Sequence, residues 1–377
     1  MFAESVFVIE SRLFTAVHPR SDKRAVQHPQ DKLQVAGKIY TPRNNLIPTQ
    51  GDVTLVAAHA NGFGKELYEP LFISLLEQLE KRGIKIRSIL ITDVVNQGES
   101  GVINENKLGD CFNWIDVSRD LFVILQVIDP PQPVIGIGHS FGGAHIFGLG
   151  ILHPSIFCGI VGIDPIIETK SDSPSIGIAP AKLSSHRKDI WASKHEAVKY
   201  FKSRKSYQRW DPRVLDLWLK YGLRKLPTRL YPETNNSDAV TLTTTKYQEV
   251  WAFVQASTDA KKRRKHMALE RPDPACVYEQ LHRINIPVLY IVGGQSSVSQ
   301  RIKKKMAVTK NAKLVTITDG SHFVPFEYVD ETAMHITDFF ESTLRVWQVE
   351  NYADEHQPRD TKFNQMYVDE LGIRSKL

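Results

Sequence analysis

Four short apolar runs alternating with segments of helical period constrain this chain more than any other feature. The runs are residues 53–59 (VTLVAAH), 85–93 (KIRSILITD), 133–138 (PVIGIG) and 158–164 (CGIVGID). Runs of this length, rich in Val and Ile, read as strands, and VTLVAAH is apolar enough to be buried on both faces. Helical period occupies 67–82, which stops at Gly83, then 112–127 and 143–152. Strands alternating with helices build right-handed βαβ units and a mostly parallel sheet. Two opening strands are expected at 7–13 and 33–40. The pattern resumes with strands at 287–293 and 313–318 and closes on a helix near 332–346.

Between Pro165 and Ile286 the alternation stops for about 120 residues. Residues 193–196 (SKHE) have the form of a capping box. Asp211-Pro212 pairs an N-cap with proline at the first helical position, and Gly222 closes that helix. Val214, Leu215, Trp218 and Leu219 share one face of it. The expected organisation is a sheet domain in two parts, 1–165 and 286–349, a helical cap inserted at 166–285, and a polar tail at 350–377.

Composition narrows the class. Of 377 residues, 42% are apolar and 24% charged, enough for a large core and unlike a disordered chain. The formal net charge of +6 is mild, and most of it reads as solvated surface. Cys111, Cys158 and Cys276 are too scattered for a disulfide framework or a metal site. No secretory signal opens the chain, and no stretch stays apolar for about 18 residues. A soluble, non-secreted protein is the expectation.

The chemistry lies in Gly138-His139-Ser140-Phe141-Gly142, followed by Gly143. It matches G-x-S-x-G and falls between a predicted strand and a predicted helix, which is the setting of a nucleophile elbow in the α/β-hydrolase fold. Ser140 is the expected nucleophile. A serine hydroxyl attacks poorly until a base removes its proton. His322, after the last strand, lies on the C-terminal side of Ser140, the order this fold requires. His59, His139 and His145 are assigned packing or turn-stabilising roles. The acid that orients the base commonly follows the strand at 287–293, but residues 293–298 (GGQSSV) hold no carboxylate. One strand earlier, Asp164 stands at a strand end, and it is the expected acid. The other role open to it is that of an Asp-Pro turn former. Asp319 is too close to His322 along a tight turn. The oxyanion donors are expected to be the backbone N–H groups of Phe141 and Asn61, the latter in the loop His59-Ala60-Asn61-Gly62-Phe63.

These residues resemble the fungal peroxisomal α/β-hydrolases, a group with a yeast peroxisomal lipase and relatives in toxin and polyketide biosynthesis. The resemblance covers most of the chain. It rests on residues 59–63, 93–100 (DVVNQGES), 112–120 (FNWIDVSRD), the elbow, Asp164 and 320–324 (GSHFV). Ala60 stands where glycine is common. The segment 112–120 is the most specific, because generic hydrolase chemistry does not demand it. The resemblance places the acid after the strand that ends at Asp164. It implies an acyl-CoA thioester as substrate and a role in secondary-metabolite (toxin) biosynthesis. Ser375-Lys376-Leu377 has the form of a peroxisomal address read by an import receptor.

Two basic runs, 261–265 (KKRRK) and 301–305 (RIKKK), read either as solvated helix faces or as contacts for coenzyme A phosphates. Trp210, Trp218, Tyr221, Trp251 and Phe253 crowd the cap, most as core and some as the lining of an acyl pocket. No cofactor is expected, since neither a metal-ligand cluster nor a dinucleotide fingerprint occurs. No nucleic-acid module is present either. The expected activity is two-step acyl transfer to water. The alternatives are a lipase or carboxylesterase of the same mechanism, or a binding protein that keeps the fold without the chemistry.

Overall fold

The computed structural model describes residues 2–172, 177–233, 236–256, 269–357, 359 and 364–372. Its centre is an eight-stranded sheet. The strands are β1 (Phe7–Thr15), β2 (Gln34–Pro42), β3 (Val53–Ala58), β4 (Ile86–Thr92), β5 (Val134–His139), β6 (Gly159–Ile163), β7 (Val288–Gly293) and β8 (Ala312–Ile317). Their spatial order is β1-β2-β4-β3-β5-β6-β7-β8. Neighbours from β4 to β8 pair in parallel, while β2 pairs antiparallel with both β1 and β4. This is the mostly parallel sheet of the α/β-hydrolase fold.

The principal helices are α1 (Glu69–Glu80), α2 (Trp114–Ile128), α3 (Phe141–Leu152) and α4 (Val329–His356). They cover both faces of the sheet. Leu55, Ala57, Leu289 and Ile291 enter one core with Leu75 of α1 and Phe340 of α4. Val56, Ala58, Val288 and Tyr290 enter the opposite core with Ile124 of α2 and Phe147 of α3. The alternation of side chains along each strand therefore feeds two cores, and this is why β3, β5, β6 and β7 read as continuous apolar runs. Full burial of each Leu or Ile contributes about 1.5–3 kcal/mol.

Between β6 and β7 lie helices Ile178–His186, Lys194–Lys202, Pro212–Tyr221, Lys246–Phe253 and Asp273–Tyr278, with shorter turns. Asp211 caps the third of these through its side chain, and Val214, Trp218 and Leu219 are buried as their spacing requires. The region also holds a small antiparallel sheet ordered Ile190–Trp191, Val240–Leu242, Leu223–Lys225. Strands of two or three residues are too short to display a period, so they were not anticipated. A second difference concerns α4, which runs on to His356, past the expected end near Val346 and into the polar tail. Residues 347–356 contain neither Gly nor Pro, and Val349 and Tyr352 are exposed. No helix breaker stops the chain there, and no apolar face announces the extension.

The segment 112–120 has a structural task. Asn113 caps α2 by accepting from the Ile115 N–H at 3.2 Å. Asp120 Oδ1 accepts from Arg20 Nη1 and from the Val17 N–H, both at 2.7 Å, and Asp116 Oδ2 accepts from the Ser21 N–H at 3.0 Å. All three charged side chains are buried. They clamp the loop after β1 onto α2. Asp120→Ala leaves the Arg20 guanidinium buried with a weakened partner set, so unfolding in urea is expected to show a loss of about 3 kcal/mol. A loss under about 1 kcal/mol would make this an ordinary surface-type pair.

Candidate active site

The elbow follows from the sheet. β5 lies between β3 and β6, and His139 is in register with Ile163. At Ser140 the chain turns with φ 55° and ψ −118°, a conformation that non-glycine residues rarely hold. The turn is fixed by three main-chain hydrogen bonds. The Ser140 N–H donates to Ile163 O at 2.8 Å, and Ser140 O accepts from the N–H groups of Gly143 and Ile166, each at 3.0 Å. The flanking glycines answer to close approach. A Cβ at Gly138 would stand 2.5 Å from Gly142 O, and one at Gly142 would stand 2.2 Å from Ala58 O. Neither gap admits a side chain, so the start of α3 rests directly on the end of β3.

The C-terminal edges of β5 to β8 converge, as ligand sites in open α/β sheets do. Ser140 follows β5, Asp164 follows β6, and His322 lies in the turn after β8. His322 Nε2 is 2.7 Å from Ser140 Oγ, and its Nδ1 is 2.7 Å from Asp164 Oδ2. Asp164 is fully buried, with φ 42°, and its N–H donates to Ile291 O at 2.7 Å. The carboxylate takes the Nδ1–H, which leaves Nε2 as the acceptor for the serine hydroxyl. Glu327 holds the turn that presents His322, accepting from the N–H and the hydroxyl of Ser321 at 2.8 Å each. The structure thus brings together the three residues that the sequence reading selected.

A family model described as the alpha/beta hydrolase family matches residues 55–334. This chain belongs to the α/β-hydrolase family. The hydrolase is similar over most of its length to a type I acyl-CoA thioesterase (mpaH) of Penicillium brevicompactum, with 29% identity and 93% of each chain covered. The corresponding thioesterase of Penicillium roqueforti (strain FM164) is 32% identical over 76% of this chain and 74% of that one. Among solved structures, the peroxisomal alpha-beta-hydrolase Lpx1 from Saccharomyces cerevisiae superposes with a TM-score of 0.73 at 22% identity, covering 98% of this chain and 95% of that one.

The hydrolase fills the loop after β7 with a serine where a carboxylate is commoner. Ser296 is buried, and its hydroxyl donates to Asp164 Oδ2 while accepting from the Val298 N–H at 3.2 Å. Asp164 Oδ2 is therefore shared between His322 and Ser296. The sequence shows the vacant carboxylate position but does not single out Ser296. The signal available was a polar side chain at the vacated position.

The loop carrying Asn61 is cross-braced by side chains. The Gly62 N–H donates to Gln97 Oε1 at 2.8 Å, and Gln97 Nε2 donates to Asn61 Oδ1 at 2.6 Å. Asn61 Nδ2 donates to Glu249 O in the cap at 3.0 Å, and Glu249 is itself paired with Arg187 at 2.5 Å. Phe141, at the start of α3, packs edge-on against Trp114 at 4.8 Å between ring centres. His59, His139 and His145 are all buried. Burial pushes His139 down to about 3, moves His145 well below its ordinary range and lowers His59. His59 braces the loop, with Nδ1 2.8 Å from Ala60 O and Nε2 accepting from the Val94 N–H at 3.0 Å.

Three of the four basic side chains in the run at 301–305 face carboxylates. Lys305 is buried against Glu168 at 3.2 Å, Lys304 meets Asp172 at 2.6 Å, and Arg301 lies 3.9 Å from Glu168. The run at 261–265 and the terminal Ser375-Lys376-Leu377 fall outside the described residues. Trp210 and Trp218 are core, whereas Tyr221, Trp251 and Phe253 are half-buried. Among the described residues no cluster of three His, Cys, Asp or Glu side chains is placed to hold a metal ion.

Proposed function

We propose that the hydrolase cleaves an acyl-CoA thioester by a covalent serine mechanism, with Ser140, His322 and Asp164 as the catalytic triad. The observation that carries this reading is the unbroken relay from Ser140 Oγ through the His322 ring to the Asp164 carboxylate, with 2.7 Å at each step. Ser140 attacks the acyl carbonyl while His322 Nε2 takes its proton. The backbone N–H groups of Asn61 and Phe141 receive the oxyanion, a contribution of about 10²–10³ in rate per donor. The C–S bond breaks, His322 returns its proton to the leaving thiolate, and an acyl-serine remains. Water, deprotonated by His322, then releases the acid and regenerates the serine. The Asp164 carboxylate orients the ring and stabilises the imidazolium.

The thioester assignment is supported by the Penicillium relatives, both named acyl-CoA thioesterases, which match 93% and 76% of this chain. The test is a screen of acyl-CoA chain types beside a triglyceride and short neutral esters, read as kcat/KM. Preference for the acyl-CoA set by about tenfold or more upholds the reading. A preference for the triglyceride or simple esters makes the protein a lipase or carboxylesterase.

Peroxisomal location belongs to the same proposal. It is supported by Ser375-Lys376-Leu377 and by the fold shared with a yeast peroxisomal hydrolase. A fluorescent protein fused ahead of the chain should co-localise with a peroxisomal marker in a fungal cell. Deleting Leu377 should return it to the cytosol. Unchanged distribution on deletion would defeat the targeting claim.

A further inference from the structure

Two buried titratable side chains play no part in the acyl transfer described above. Tyr68 sits in the turn before α1, and His139 is the last residue of β5, one position before Ser140. Tyr68 is 3% exposed and His139 1%. Their polar atoms form one continuous chain. The Ala60 N–H donates to Tyr68 Oη at 2.8 Å. Tyr68 Oη is 2.8 Å from His139 Nδ1, and His139 Nε2 is 2.9 Å from the carbonyl oxygen of His322.

The partners fix every proton. A carbonyl oxygen only accepts, so His139 Nε2 carries the hydrogen and donates to His322 O. In the neutral ring Nδ1 is then the acceptor, and the Tyr68 hydroxyl donates to it. That leaves the Tyr68 lone pairs for the Ala60 N–H. The opposite tautomer would set the Nε2 lone pair against the His322 carbonyl. Burial keeps the ring neutral, pushing His139 down to about 3, and raises the Tyr68 hydroxyl far above its ordinary range. Phe326 closes the site, its ring centre 5.2 Å from that of Tyr68 and 5.4 Å from that of His139. All the hydrogen bonds therefore run in one direction, from the loop that carries Asn61 to the main chain of His322.

We propose that Tyr68 and His139 are positioning residues that hold the oxyanion loop and the histidine base in mutual register around Ser140. The proposal rests on the triad reading above. One end of the chain is the residue before Asn61, and the other is the backbone of the base itself. Neither Tyr68 nor His139 touches the reacting atoms. They act by fixing two main-chain groups that a catalytic geometry needs held to within a fraction of an ångström. A displacement of 1 Å in such a group costs about a hundredfold in rate.

The test compares Tyr68→Phe, His139→Leu, His139→Gln and the double variant Tyr68→Phe/His139→Leu. A fluorophosphonate titrates the competent serines, and kcat on a short p-nitrophenyl ester is expressed per titrated site. Tyr68→Phe and His139→Leu are expected to lose about 10- to 100-fold in that kcat, with KM within about threefold of wild type. The double variant should fall no lower than the worse single variant, because both cuts break one chain. His139→Gln, whose amide both accepts and donates, should recover most of the loss. The proposal is overturned if Tyr68→Phe keeps kcat per titrated site within about threefold of wild type, or if the two losses multiply. Should His139→Leu fail to fold, Tyr68→Phe decides alone, since it deletes one oxygen and no packing. A wild type that does not label at Ser140 overturns the triad reading and this proposal together. A wild type that labels, beside a Tyr68→Phe variant of unchanged rate, removes only the positioning role.

Discussion

Replacing Ser140 with alanine is expected to lower kcat for thioester hydrolysis by about a million-fold, the loss typical of removing a nucleophile from a triad that acts as a unit. The fold should be unaffected. Ser140 is 6% exposed, and its turn is held by main-chain groups that alanine retains. The single loss is Oγ, which leaves His322 Nε2 with no proton to take. Thiol release from acyl-CoA measures the rate, and the thermal midpoint checks the fold. The residual rate should stand about 10³–10⁴ above water, from oxyanion stabilisation and binding. Retention of more than about a hundredth of the wild-type kcat would mean that the acyl group is not carried on Ser140. The reaction would then be a direct attack by water, with His322 as base.

The parts of this site legible in the sequence are those that depend on local chain geometry. Strands β3, β5, β6 and β7 are buried on both faces, and such strands announce themselves as apolar runs. The elbow is legible because its tight contacts exclude side chains at Gly138 and Gly142, so composition records the geometry. Asp164 was selected from an absence, the lack of a carboxylate in residues 293–298, and the structure places it against His322. What stayed hidden depends on contacts between distant segments. Ser296 meets Asp164 across 132 residues, and His139 reaches the His322 carbonyl across 183. Neither residue type nor spacing encodes such a meeting. His139 occupies the variable position of the G-x-S-x-G motif, where any side chain satisfies the pattern. The tail helix and the small cap sheet were missed for a related reason. Residues 347–356 bury little, and strands of two or three residues have no period to read.

Asp164→Asn is the sharper test of the triad, because it changes charge and tautomer while leaving shape and backbone alone. Residue 164 sits at φ 42°, a conformation that asparagine tolerates as readily as aspartate. An asparagine that turns its NH₂ toward His322 forces the ring proton onto Nε2, where it faces Ser140 and blocks proton abstraction. One that turns its oxygen toward His322 keeps the tautomer but no longer balances the imidazolium. Either way kcat should fall by about 10⁴-fold with little change in the thermal midpoint. A fall under about tenfold would leave Asp164 as an Asp-Pro turn former and require another acid. Ser296 makes the test two-sided. Its hydroxyl already reaches Asp164 Oδ2 from the loop where a carboxylate is commoner. The double variant Asp164→Asn/Ser296→Asp places a carboxylate beside the Oδ2 position, where it can take the Nδ1–H of His322 in place of residue 164. It should regain at least about tenfold over Asp164→Asn, since an opposite charge within a few ångströms favours the charged ring. Ser296→Ala alone removes one neutral hydrogen bond to the acid and should cost no more than about tenfold. If the double variant stays as slow as Asp164→Asn, the acid must act from the end of β6 and cannot be moved one strand along.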